Sequence, residues 1–340
     1  MAGVLPMIQA AALLPLLRWL EENDRPVRER LAAVDLGWVR LHDLGQPVPL
    51  HSVAAFFREM ARIEGADIGA RVVSGASVIE LAMLGKVALG ARTPRESLTR
   101  VAVALPSFST HEHIAVEPGP DGMRVRQSFG VRFDPHAMHT VQQFVASMIQ
   151  ALCSMTGAPG PLLRRVEMLP HPEHGFAHLA GRFGGALADG RTSHDGKVLT
   201  VDIDASVADR AFPVVARDRL ARMALPDPKA LRGDASLSGS ARIVVAAMLA
   251  DGEVTSARLA RAAGTSVRTL QRRLKEEGTS FSAILEDVRR EVALAQLAGS
   301  REKLASVSTS LGYARQSALT RAVRRWTGRS PRELRASVQT

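Results

Sequence analysis

The chain has 340 residues, 46% of them hydrophobic and 23% charged, the composition of a globular protein long enough for two domains. Its single cysteine, Cys153, excludes an internal disulfide and a thiolate metal site, and it fits a reducing cytoplasm. The net charge of +10 is unevenly spread: residues 233–340 hold 18 Lys/Arg against 10 Asp/Glu, whereas the rest hold 26 against 24. Such an asymmetry points to a polyanion-binding end and a near-neutral remainder, the alternative being a merely soluble basic surface.

In chain order, the apolar run Leu5 to Leu20 comes first. It is too short to span a bilayer, is interrupted by Pro6, Pro15 and Arg18, and has no basic n-region. It predicts a buried helix, with no signal peptide and no membrane partner. Residues 51–64 carry Val53, Phe56, Phe57 and Met60 at helical spacing. His113 to Phe129 alternates on both sides of Pro-Gly-Pro-Asp-Gly, which predicts a β-hairpin. His139 to Met155 returns to helical spacing, and His194 to Asp204 predicts a strand. Ala216 to Met223 predicts a last helix before a joint at Pro226 to Ser240, rich in turn formers and lacking apolar periodicity. The expected division is 1–225, an α+β domain; 226–239, a linker; and 240–340, an all-α domain.

The all-α part carries the clearest chemistry. Helices are expected at Ser240 to Ala250 and near 255–263, 266–276, 281–298, 303–310 and 316–326. In the first pair, Gly264 supplies the positive φ of a tight turn and Ser266 stands as N-cap of the next helix. Val267, Leu270 and Leu274 then face inward, which leaves Arg268, Gln271, Arg272 and Lys275 outside. Arginine pairs bidentately with guanine and glutamine with adenine. Helix, glycine-bearing turn and basic helix is the helix-turn-helix pattern of DNA-binding proteins. The pattern returns around Gly312: Leu319, Ala322, Val323 and Trp326 face inward, while Gln316, Ser317, Thr320, Arg321 and Arg324 face out. Between the two lies Phe281 to Ala298, with Phe281, Ile284, Leu285, Val288, Val292 and Ala295 on one expected face. At roughly 1.5 Å per residue it is about 27 Å long. That length, plus the width of the reading helices, suits successive major-groove segments about 34 Å apart. One such unit alone would read as a plain helical hairpin; two in tandem, both basic outside, favour DNA.

Leu311 to Arg335, LGYARQSALTRAVRRWTGRSPRELR, resembles the C-terminal signature of the AraC/XylS family of bacterial regulators, and TLQRRLKEEGTSF in the first unit is similar to it too. The resemblance covers about residues 240–338. It departs at Leu319 and Val323, where the family usually carries phenylalanine, and at Arg315, where a small polar or acidic residue is common. The first part resembles the family's arabinose-binding-type sensor domain, in the branch that includes ornithine and amine-responsive regulators. The resemblance implies a cytoplasmic, effector-responsive transcriptional regulator that binds double-stranded promoter or operator DNA as a homodimer, as an activator whose further partner is RNA polymerase. An N-terminal part used only for dimerisation or a protein partner is the alternative.

Other signals carry less. Phe108, His111, His113 and Arg126 are the candidate effector contacts; His111 and His113 would share one strand face, and Arg126 and Arg132 flank the hairpin. All ten histidines lie in the first part. His136 and His139 are three apart. His171, His174 and His178 follow a helical spacing that Pro172 opposes. They are read as solvated or core residues, with no metal and no cofactor expected. No nucleophile elbow, Walker loop, zincin motif or dinucleotide fingerprint is present. Gly181 to Gly185 is too short for a phosphate cradle, and Cys153 reads as a buried hydrophobe. An enzyme is not expected.

Overall fold

In the computed structural model, the described residues are 3–191, 196–213, 231, 234–249, 254–299 and 302–338. The chain forms two compact units. The larger comprises Pro6–Val34 and Arg40–Leu231. The smaller comprises Arg232–Thr340 together with two short N-terminal pieces, Met1–Leu5 and Asp35–Val39. The expected helix at Ala216 to Met223 and most of the expected joint fall outside the described residues.

The larger unit is α+β. Its N-terminal run is less helical than expected. Strand β1 (Met7–Gln9) and a 3-10 turn (Ala10–Leu13) precede helix α1 (Leu14–Glu22). Pro15 lies in the first turn of α1, where its missing N–H is no loss, so the helix starts there. Helix α2 (Val27–Ala32) follows, and β1 pairs antiparallel with β2 (Pro47–Pro49). Helix α3 (Leu50–Glu64) matches the expected segment and buries Val53, Phe56, Phe57 and Met60. Short helices α4 (Ile68–Arg71), α5 (Ser77–Glu80) and α6 (Ala82–Leu89) lead to α7 (Pro94–Ala104).

The hairpin is present as β3 (Glu112–Gly119) and β4 (Gly122–Phe129), with Gly119 opposite Gly122. Its two-residue turn holds Asp121 at φ 58°. Helix α8 (Pro135–Ser154) begins four residues before the expected start, because Asp134 caps it by accepting from the amides of His136 and Ala137, each at 3.1 Å. Strands β5 (Arg165–Met168), β6 (Leu187–Asp189) and β7 (Val198–Asp204) complete a five-stranded sheet of order β3-β4-β7-β5-β6, antiparallel apart from β5 with β6. Helices α9 (Ala180–Phe183) and α10 (Ala205–Ala208) are single turns. No helix among the described residues is long and apolar enough to cross a membrane.

The smaller unit is helical wherever it forms regular structure: α11 (Leu237–Met248), α12 (Ser256–Ala262), α13 (Val267–Glu276), α14 (Phe281–Gly299), α15 (Leu304–Ser310), α16 (Gln316–Thr327) and α17 (Pro331–Val338). The last was not anticipated. Helix α14 turns a somewhat different stripe inward than its spacing suggested: Ile284, Val288, Ala293 and Leu297 are buried, whereas Ala295 is exposed. With 3.6 residues per turn the buried stripe drifts around a helix this long. Bonds among the described residues tie the N-terminal pieces to this unit. The Leu5 amide donates to Ser240 Oγ at 2.9 Å, and Arg258 Nε meets Asp35 Oδ1 at 2.7 Å.

Candidate nucleic-acid interface and apolar cavity

Helices α12 and α13 form the first unit of the pair. Thr255 caps α12 at the Arg258 amide, Gly264 takes φ +61°, and Ser266 Oγ accepts from the Thr269 amide at 3.1 Å to start α13. Leu270 and Leu274 are fully buried, so the opposite side of α13 must face out: Arg268, Gln271, Arg272 and Lys275 are all exposed. Arg272 is not a bare cation, since its guanidinium meets Glu276 Oε1 at 2.6 Å one turn on. Just past the end of α13, Glu277 accepts from the amides of Leu237 and Ser238 at 2.9 and 2.8 Å, tying it to the start of α11. Burial raises that carboxyl, but the hydrogen bonds from Ser238 and Leu237 outweigh it and hold the pKa below the ordinary value.

Helices α15 and α16 repeat the arrangement around Gly312 at φ +68°. Leu319, Ala322 and Val323 are buried. Gln316, Ser317, Arg321 and Arg324 are exposed, while Thr320 is half-buried and returns its hydroxyl to the Gln316 carbonyl at 3.1 Å. Trp326, expected inside, is only half-buried; its indole N–H donates to Glu286 Oε1 at 3.0 Å. Arg315 occupies the N-cap of α16 and offers no side-chain cap. Position is supplied instead by α14. Arg289 donates to the carbonyls of Leu311 and Gly312 at 2.8 and 3.1 Å and lies over the Tyr313 ring, and Glu286 pairs with Arg325.

A sequence model described as a helix-turn-helix domain matches residues 259–337. The chain is a transcriptional regulator with a DNA-binding helix-turn-helix domain in its C-terminal part. Over 295 residues, 84% of both chains, it is 28% identical to the HTH-type transcriptional regulator VirS of Mycobacterium tuberculosis. The ornithine utilization regulator of Pseudomonas aeruginosa is 38% identical over 76 residues, 22% of each chain. The crystal structure of the transcriptional regulator CdpR from Pseudomonas aeruginosa is similar with a TM-score of 0.37 at 19% identity, covering 94% of this regulator and 98% of that chain.

The regulator's larger unit holds a partly open cavity of about 160 Å³ between α3, α6, α7, α8 and the β3–β4 hairpin. Its walls are apolar except for Gln9, Ser109 and Glu112, and neither lysine nor arginine lines it. Gln127 Nε2 donates to Glu112 Oε1 at 3.0 Å. Part of Glu112 reaches solvent, yet burial of its carboxyl pushes the pKa up to about 7. Gln9 is 3% exposed, and its amide nitrogen has no hydrogen-bond partner among the described residues.

Of the four candidate effector contacts, only Phe108 lines this cavity. His111 is buried just before β3, with Nδ1 2.7 Å from Thr110 Oγ1. His113 is exposed, two positions from Arg126 along the hairpin ladder and on the sheet face away from the cavity, to judge from the buried alternation Met123, Val125, Gln127. Glu112 and Gln9 were not anticipated. The cavity draws its walls from positions 8 to 152, and no local pattern marks its polar points. Cys153 is buried, with its thiol pushed up to about 12, so it offers no thiolate.

Five histidines, expected only as solvated or core residues, gather at one end of α8. His139 Nδ1 is 2.6 Å from the Leu169 carbonyl, and its Nε2 is 2.9 Å from His178 Nε2. His171 lies in ring contact with His136, His139, His174 and His178, at centroid distances of 5.1, 5.3, 4.7 and 5.6 Å. Burial pushes the His139 pKa down to about 3 and lowers those of His171 and His178, so the buried rings are uncharged at neutral pH.

Proposed function

We propose that α13 and α16 read successive major-groove segments of one operator half, and that a small molecule held in the larger unit controls this binding. The observation that carries the reading is that each of the two helices turns a row of donors outward. Arg268, Gln271, Arg272 and Lys275 on one helix and Gln316, Ser317, Arg321 and Arg324 on the other are exposed donors, each set backed by buried leucine. Thr320, at the edge of the second set, contributes its methyl side. Affinity falls steeply with salt, because phosphate contacts release counterions. Protection mapping of the bound promoter tests the reading: two protected major-groove segments per monomer on one DNA face support it, and one segment opposes it.

For the effector, a mostly apolar cavity of this size takes a body of about benzene size. Gln9 and Glu112 offer a donor and a carboxyl to one polar head. A ligand of this kind raises the melting temperature of the full chain, since it binds the folded state alone. Glu112→Gln should reduce that rise; a ligand-induced rise unaffected by Glu112→Gln and by Phe108→Ala would place the effector elsewhere. Cytoplasmic action as a homodimer and activation through RNA polymerase complete the proposal. Dimerisation by the larger unit is favoured by Val103 on α7, which at 80% exposure is the exposed large hydrophobic residue among those described. Val103→Asp should shift sedimentation toward monomer.

A further inference from the structure

We propose that the cavity of the larger unit selects a small uncharged alcohol or phenol, whose hydroxyl donates to Glu112 and accepts from Gln9, and that it rejects carboxylates. This rests on the effector reading above and names the chemical class of the ligand. The polar points share one wall. Strand β1 lies against the stretch leading into β3: Ile8 bridges Ser109, the Gln9 amide donates to the Phe108 carbonyl at 3.0 Å, and the Thr110 amide donates to the Met7 carbonyl at 2.9 Å. That pairing brings Gln9 next to Ser109, with Glu112 three residues on, in a lining that is otherwise apolar. Ser109 is near enough to draw the Glu112 pKa down, yet its oxygen completes no hydrogen bond among the described residues.

Two buried polar atoms on this wall therefore wait for a partner. Gln9 is 3% exposed and Ser109 is fully buried, and neither Gln9 Nε2 nor Ser109 Oγ has one among the described residues. Buried polar atoms left so cost stability, and where they line a cavity they mark what it is built to meet. Gln127 donates to Glu112 Oε1 at 3.0 Å, which fixes the carboxyl as an acceptor. The wall thus offers an amide donor, a hydroxyl that serves either way, and a carboxyl. A ligand hydroxyl, with one hydrogen and two lone pairs, satisfies them together. An ammonium has donors only and leaves Gln9 without an acceptor. An ether has no hydrogen for Glu112. A carboxylate has acceptors only. It meets Glu112, which at a pKa of about 7 is partly charged at neutral pH, and no lysine or arginine in the lining offsets a second anion. A cavity of about 160 Å³ is close to one that takes benzene, so a single ring nearly fills it and a hydroxyl adds only one heavy atom.

The test is calorimetric titration of the full chain with phenol, anisole, toluene, benzylamine and benzoate, which keep the ring and change the head. Phenol should bind at one equivalent. Anisole, toluene and benzylamine should each bind at least about tenfold more weakly, and benzoate should not bind. Gln9→Met and Ser109→Ala should each narrow the phenol-to-toluene ratio at least about threefold. Both variants remove a buried atom that has no partner, so without ligand they should melt no lower than wild type. Lower melting with an unchanged phenol-to-toluene ratio would give both residues a structural role and overturn the proposal. Toluene binding as tightly as phenol, or benzoate binding more tightly, also overturns it but leaves the effector reading standing, since the cavity would still hold a small molecule. Binding by none of the five overturns both.

Discussion

The two helix-turn-helix units have the same outline but are held by different means. The first is positioned locally: Thr255 and Ser266 cap their own helices, and Gly264 makes the turn between them. The second has Arg315 where a capping residue would stand, and it borrows its position from α14 through Arg289 and Glu286. The comparison teaches that α14 is more than a spacer. It is the frame of the second unit and only the neighbour of the first.

The largest expected effect comes from breaking that frame. Val288 is buried in the middle of α14, and Val288→Pro removes a backbone donor and clashes with the preceding turn, at about 3 kcal/mol or more. Specific binding should vanish while weak, salt-sensitive binding through α13 remains; circular dichroism and gel shift at several salt concentrations check both parts. Next comes Arg289→Met, which strips the Leu311 and Gly312 carbonyls of a charged donor, worth roughly 1.5–3 kcal/mol. It should erase the protected segment under α16 and spare the one under α13. A uniform loss of both segments would show that the two units are positioned alike after all.

Arg272→Ala should cost on the order of 1–3 kcal/mol on the true site and relax preference at one base pair, with little change on random DNA. The Glu276 partner sharpens this expectation, because Glu276→Gln frees Arg272 and should tighten binding to any duplex. Equal losses on specific and random DNA for Arg272→Ala would make Arg272 a phosphate contact. The smallest pair addresses the caps themselves. Ser266→Ala should lower stability by about 1 kcal/mol, and Arg315→Ser should raise it by up to a similar amount. Chemical denaturation measures both, and a neutral Arg315→Ser would mean that the second helix gains nothing from a cap once α14 holds it.

What could be read from the sequence follows the same division. The first unit was legible because its signals, Gly264, Ser266 and the Leu270/Leu274 stripe, lie within eleven residues. The hairpin was legible for the same reason. The start of α8 was missed because its N-cap, Asp134, precedes a proline and two histidines that break the apolar pattern. Arg289 and Glu286 lie off the apolar stripe of their helix, and their partners more than twenty residues away leave no local signal. The polar points of the cavity and the histidine cluster are farther out of reach, since His139 and His178 meet only after α8 and the 171–178 segment have packed. The grouping of Asp35–Val39 with the C-terminal unit was likewise invisible, and it favours the full chain over dissected halves for every measurement above.

The central claim is that both units read DNA at a separation fixed by α14. Inserting five base pairs, about half a turn, between the two half-segments of the operator tests it most directly. The account predicts that the full chain loses specific binding to the expanded operator, while a ten-base-pair insertion cannot restore it because α14 cannot lengthen. Full affinity for the five-base-pair insertion, with a single protected segment per monomer, would contradict it and leave α16 as a structural helix.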